Sequence, residues 1–114
     1  MSDDPIDALK ALAHPARFAI LRALSERERN VGQIERATEV IQPALSQQLA
    51  ILRSAGLVDA RREAKQVFYS LNAMAMRDLA SRLSPLWQAS VAETTNLEFG
   101  NLSGVAMFAR MTKD

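Results

Sequence analysis

The 114-residue chain has no cysteine and a single histidine, and these two scarcities remove most of the chemistry a small protein can perform. Without thiols, disulfides, thiolate metal sites and thiol redox switches are all excluded within it. The lone His14 has no second histidine with which to build a metal cluster, and no sequence context for a catalytic triad. Only four glycines occur, at positions 32, 56, 100 and 104, too scattered for a phosphate-cradling loop. No apolar run approaches the roughly 20 residues that span a bilayer. The opening MSDDPIDALKALAHP also lacks the basic region and apolar core of a secretory signal. The expectation is a cytoplasmic non-enzyme with no cofactor, no metal and no membrane partner.

Charge of one sign is also lacking. Fourteen Lys and Arg face thirteen Asp and Glu, a formal net charge of +1, so bulk charge does not announce a polyanionic partner. A basic surface must therefore come from local arrangement. Asp3, Asp4 and Asp7 crowd the front, where they favour the start of a helix. Arg53, Arg61, Arg62 and Lys65 are concentrated in one later stretch. The length suits one domain with a modest core.

What is present is a clear order of elements. Ile6, Leu9 and Leu12 mark a first helix, and His14-Pro15 breaks the chain and restarts it. Phe18, Leu21 and Leu24, with Ile20 beside them, predict the apolar face of a second helix. Residues 25–30 read as a charged loop. Val31, Ile34 and Ala37 mark a short third helix, followed by a turn at 40–42. A fourth helix is expected over 43–55, with Leu45, Leu49 and Leu52 on one face and Gly56 at its end. Strands at 57–62 and 66–71, joined by Glu63-Ala64-Lys65, make a hairpin with a basic tip. A long last helix begins near Asn72 and carries Met76, Leu79, Leu83, Leu86, Trp87 and Val91. Pro85 must kink it or begin a new segment. Residues 94–114 are poorly patterned, with one short helix conceivable at GVAMFARM.

A short helix, a tight turn, a second helix with an amide-rich face and a basic hairpin make a device for reading double-stranded DNA. The major groove admits a helix and shows each base pair a distinct set of donors and acceptors. Such a helix needs short or amide side chains near its N-terminus and an apolar back fixed to a core. Opposite its leucines, the fourth helix carries Gln42, Pro43, Ser46, Gln47 and Arg53. Gln42 and Gln47 suit adenine N6 and N7, and Ser46 suits a base edge or a phosphate. Arg61, Arg62, Lys65 and Gln66 lie on or beside the hairpin tip, within reach of phosphates or a narrow minor groove. Singly, each cation also fits a solvated surface; as a group beside a reading helix they favour DNA.

The blocks HPARFAILRAL, VGQIERAT, QPALSQQLAILRSAGLV and RREAKQVFYSL, in that order, resemble the ArsR/SmtB family of transcriptional regulators, from about Leu9 to Leu71. The resemblance implies a mainly α, α+β winged-helix fold of about five helices with a two-stranded wing between the fourth and fifth. It implies a homodimer joined through its first and last helices, here Ile6, Leu9, Met76, Leu79, Leu83, Leu86 and Trp87. It also implies a repressor on two-fold symmetric operator DNA, released by an effector. Residues 1–93 would form the DNA-binding and dimerisation domain and 94–114 a tail. The alternative is a winged helix used only for protein interaction, which would be expected to lose the polar face retained here.

Two positions depart from the family pattern. Ile41 stands where a hydroxyl usually caps the reading helix, leaving the cap missing or supplied by Gln42. Ala64 stands where the wing tip usually has glycine. The family's metal-ligand sets are also absent: VGQIERAT offers no thiolate, and the last helix has Asp78 and Glu93 but no histidine. His14 is read as the residue capping the second helix, ahead of a sensor role. The effector stays open between a small molecule, a protein or none. Met74, Met76, Trp87, Met107, Phe108 and Met111 are read as core or interface ahead of a ligand pocket.

Overall fold

Five helices and three strands follow one another across residues 4–88, the part of the chain that the computed structural model describes. Local chemistry accounts for most of their ends. Helix α1 (Ile6–Leu12) starts where the Asp4 carboxylate accepts the Ile6 N–H at 3.1 Å. Helix α2 (Pro15–Glu26) is capped by His14, whose Nδ1 accepts the Ala16 N–H at 3.1 Å, while Pro15 opens the helix. The structural role expected for His14 is therefore what the geometry shows.

The inner face of α2 is Ile20, Leu21, Ala23 and Leu24, and Phe18 is 48% exposed. This corrects the apolar face expected from sequence. At about 100° per residue Phe18 lies almost opposite Ile20, so burying Ile20 with Leu21 and Leu24 turns Phe18 outward.

The expected loop at 25–30 is also corrected: α2 runs to Glu26, and β1 (Arg29–Asn30) follows. It pairs antiparallel with β3 (Gln66–Leu71), Arg29 opposite Tyr69 and Asn30 opposite Phe68. Arg29 is buried: its Nε donates to the Ala23 carbonyl at 2.9 Å and its Nη2 to Glu26 Oε1 at 2.7 Å. It thus occupies one carbonyl of the last turn of α2, where carbonyls lack helical partners, and pairs with the carboxylate of that turn's Glu26. Two residues are too few for strand alternation to register in a sequence, and a buried arginine in a charged run looks like any solvated one.

Helix α3 (Val31–Thr38) begins with a reciprocal capping box: Asn30 Oδ1 accepts the Gln33 N–H at 2.9 Å, and Gln33 Oε1 accepts the Asn30 N–H at 2.8 Å. It ends at Glu39 in the left-handed region, φ 64°. Helix α4 (Ala44–Ser54) closes with Gly56 at φ 78°, Gly56 N–H to the Arg53 carbonyl at 2.9 Å and Leu57 N–H to the Leu52 carbonyl at 3.0 Å. That two-bond closure requires a left-handed residue, and glycine takes it without steric cost.

The hairpin consists of β2 (Val58–Glu63) and β3, and the sheet order is β1-β3-β2. Glu63 pairs with Gln66, so the link is the two residues Ala64-Lys65 and not the three expected. Helix α5 (Ala73–Leu83) is capped by Asn72, whose Oδ1 accepts the Ala75 N–H at 3.0 Å.

The core joins Ala11 of α1, Ile20, Leu21 and Leu24 of α2, Ile34 of α3, Leu45, Leu49 and Leu52 of α4, and Leu57 and Val58 at the start of the hairpin. The compact unit built on this core ends at Ala80, within α5. Beyond it, α5 continues to Leu83, and residues 85–88 form a separate helical turn with Trp87 N–H on the Ser84 carbonyl at 3.1 Å. Pro85 therefore begins a new segment. Val91, Glu93 and the expected tail at 94–114, including Met107, Phe108 and Met111, lie outside the described residues. Among those described, no helix is long and apolar enough to cross a membrane.

Ala64 holds φ 58° at the wing tip. A side chain in that region costs roughly 1–2 kcal/mol, partly offset by the extra chain entropy that glycine loses on folding. Ala64→Gly is expected to stabilise the protein by about 0.5–1 kcal/mol, seen as a higher urea midpoint at unchanged slope. A lower midpoint would contradict this account of the turn.

Candidate nucleic-acid interface

Three leucines of α4 point into the core at 2% exposure or less, which fixes the opposite face outward. Ser46, Gln47, Ala50, Arg53 and Ser54 are all exposed on that face. Among the described residues, the side chains of Ser46, Gln47 and Arg53 form no hydrogen bond or ion pair. The two neighbouring glutamines part company: Gln47 is exposed, while Gln48 is half-buried and accepts from Arg17 Nη1 at 2.8 Å. Arg17 also donates to the carbonyls of Lys10 and Ala11, so one guanidinium ties the end of α1 to α4.

Gln42 has a second task. Its Oε1 accepts the Ser46 N–H at 2.9 Å, and its own N–H donates to Glu35 Oε2 at 3.3 Å. Pro43, at the N-cap position, makes no side-chain cap bond, and Ile41 before it is 62% exposed. Gln42 thus supplies the cap that Ile41 cannot. Its amide oxygen is committed to the helix, and among the described residues its NH2 group has no partner.

The wing divides its residues by strand alternation. Val58, Ala60 and Arg62 share one face with Val67, Tyr69 and Leu71; Asp59, Arg61 and Glu63 share the other with Gln66, Phe68 and Ser70. Arg62 and Lys65 are exposed, and among the described residues their side chains have no partner. Arg61 has three. Its Nε and Nη2 bind the two carboxylate oxygens of Glu28 at 2.8 Å each, and its Nη1 binds Glu63 at 2.7 Å. Its guanidinium also lies 4.9 Å from the centre of the Phe68 ring. These hydrogen bonds hold the Glu28 carboxyl below the usual carboxylate range. Gln66 is engaged too, its Oε1 accepting from Asn30 Nδ2 at 3.0 Å.

Of the nine DNA-facing residues expected from sequence, the structure gathers Gln42, Pro43, Ser46, Gln47 and Arg53 along the exposed side of α4. It leaves Arg62 and Lys65 free at the wing, and ties Arg61 and Gln66 to neighbours. One further cation lies beside the wing. Arg36 lines an open cleft of about 500 Å³ together with Asn30, Gly32, Lys65, Gln66 and Tyr69. No sequence signal distinguishes Arg36 from a solvated helix residue, because only the wing's approach to α3 gives it company. Of the expected dimer residues, Leu79 is 5% exposed and Met76 packs against the core, so both are largely covered within one chain. Leu9 and Leu83 are half-buried, and Ile6, Leu86 and Trp87 are exposed.

The family model for bacterial regulatory proteins of the arsR family matches residues 14–60, which include α3, α4 and the start of β2. The biofilm growth-associated repressor of Xylella fastidiosa is 38% identical over 88 residues, 77% of each chain. This chain belongs to the arsR family. A biofilm growth-associated repressor of Agrobacterium fabrum is 52% identical over 75 residues, 66% of this chain but only 61% of that relative's length. Among solved structures, the transcriptional repressor BigR from Xylella fastidiosa superposes with TM-score 0.60 at 40% identity, covering 71% of this chain and 83% of that one. Within the arsR family the chain is a DNA-binding transcriptional regulator and not an enzyme, and its fold is the winged helix.

The two outward amides of α4 are separable by stability. Gln42→Ala removes a helix cap and is expected to cost about 1 kcal/mol, whereas Gln47→Ala, with no partner to lose, should stay within about 0.5 kcal/mol. Equal unfolding midpoints for the two variants would refute the capping role of Gln42.

Proposed function

We propose that this chain is a cytoplasmic, homodimeric repressor that binds a two-fold symmetric operator, with half-sites about one helical turn apart. The observation that carries this reading is the exposed α4 face, where Ser46, Gln47 and Arg53 stand without partners, near a wing that leaves Arg62 and Lys65 free. Gln47 and Ser46 read base edges in the major groove, Gln42 adds its NH2 group, and Pro43 brings the helix start close to the duplex. Arg53, Arg62 and Lys65 contact backbone phosphates, with Gln66 beside them at the base of the tip. Repression is favoured by two relatives named as repressors, although the Vibrio cholerae relative HlyU, 42% identical over 79 residues, is named an activator. Ile6 and Leu9 on α1, and separately Leu83, Leu86 and Trp87 at and beyond the end of α5, offer apolar surface to a second copy, and Met76 and Leu79 of α5 belong to the same expected interface. The family's metal-ligand sets are missing from the sequence, so the effector is a small molecule or a protein if one acts. A winged helix serving only protein contacts has less support, because the reading face keeps its polar side chains.

Gln47→Ala is expected to weaken binding to a duplex selected from a random pool by about 1–3 kcal/mol and binding to arbitrary duplex far less. Arg62→Ala should weaken both and reduce the slope of log affinity against log salt by about 0.9. If Gln47→Ala leaves sequence preference intact, base reading by that residue is wrong. Sedimentation at micromolar concentration should show a species of twice 12.6 kDa, and a lone 12.6 kDa species would count against the dimer.

A further inference from the structure

Arg61 and Arg62 are adjacent and identical, yet they face opposite sides of the wing and meet opposite fates. Arg62 is free, and Arg61 is held at every nitrogen: Nε and Nη2 by Glu28, Nη1 by Glu63. To reach Glu28, on the segment leading into β1, the Arg61 side chain crosses the central strand over the ring of Phe68. The group is exposed, with side chains of Arg61, Glu28 and Glu63 at 51%, 34% and 64%, and ion pairs in such settings contribute little to stability. Its consequence lies in charge. The outer face of the wing carries Asp59 and Glu63, with Glu28 beside them, against the single cation Arg61. Moving Arg61 to a phosphate would exchange one anionic partner for another and leave Glu28 and Glu63 uncompensated beside a polyanion.

We propose that Glu28 sets how strongly the wing of this regulator grips the DNA backbone, withholding Arg61 so that the cations meeting phosphates there are Arg62 and Lys65. Backbone contacts strengthen binding to all sequences alike. Removing one from the wing therefore lowers affinity for selected and arbitrary DNA by the same factor and lessens its dependence on salt, without touching the outward face of α4. The proposal rests on the DNA-binding reading above and adds to it a residue that does not face DNA.

The test uses the full chain with two duplexes, one selected from a random pool and one of arbitrary sequence, in anisotropy titrations across a salt series. Glu28→Gln is expected to bind arbitrary duplex about fivefold more tightly at low salt, with a slope steeper by about 0.9, the signature of one added phosphate contact. The selected duplex should gain by the same factor, so the preference for it over the arbitrary duplex should stay within about twofold. Arg61→Ala alone should leave both affinities within about twofold, and in the Glu28→Gln background it should abolish the gain. Unchanged thermal unfolding would separate these effects from folding. Arg61→Ala behaving like Arg62→Ala would overturn the proposal, as would a Glu28→Gln gain that survives loss of Arg61, since that is only removal of a negative charge. A failure confined to these variants, with Arg62→Ala still weakening binding, sinks Glu28 alone. A wild-type chain that binds neither duplex sinks the DNA-binding reading instead.

Discussion

The burial of Leu45, Leu49 and Leu52 is the constraint on which the rest of the structure depends. These side chains are almost wholly removed from water, each burial contributing about 1.5–3 kcal/mol. Because they share one stripe of α4, their burial sets the rotation of that helix about its axis. Rotation in turn decides which residues meet solvent, so Ser46, Gln47 and Arg53 point outward with no hydrogen bond or ion pair among the described residues to hold them. The outward face of α4 presents these polar side chains because it is what the burial of the apolar face leaves over.

Polar interactions then refine what the core has oriented. Gln42 closes the open start of α4, Gly56 closes its end, and Arg17 links its flank to α1 through Gln48. Asn30 joins two elements at once, accepting from the first turn of α3 and donating to Gln66 of the wing. Arg29 binds the Ala23 carbonyl and the Glu26 carboxylate at the end of α2 from a two-residue strand that also pairs with the wing. The wing is thereby attached along β3, as far as Gln66 beside its tip, to β1 and the start of α3, the helix preceding α4.

Much of this was legible in the residues. The apolar stripe of α4, the His14-Pro15 restart, the glycine closing α4, the start of the last helix at Asn72 and the break at Pro85 each follow from a local rule about spacing, capping or missing donors. Where the sequence misled, a long-range partner had overruled a local pattern. Phe18 has the spacing of a core residue but loses its place to Ile20. Arg29 sits in a charged run but is buried. Arg61 looks like Arg62, yet carboxylates 33 and 2 residues away hold it. Arg36 looked unremarkable until the wing was folded beside it.

The sequence by itself therefore determined the family, the order of elements and which helix presents a polar face, since periodicity, caps and breakers act within a few residues. Only the tertiary structure decided which polar side chains are available on that face and on the wing. Availability depends on whether a partner from elsewhere in the chain has already taken the donor or acceptor. Neighbouring residues of the same type, Gln47 and Gln48 or Arg61 and Arg62, are alike in sequence and are distinguished by the partners that folding brings to one and not to the other.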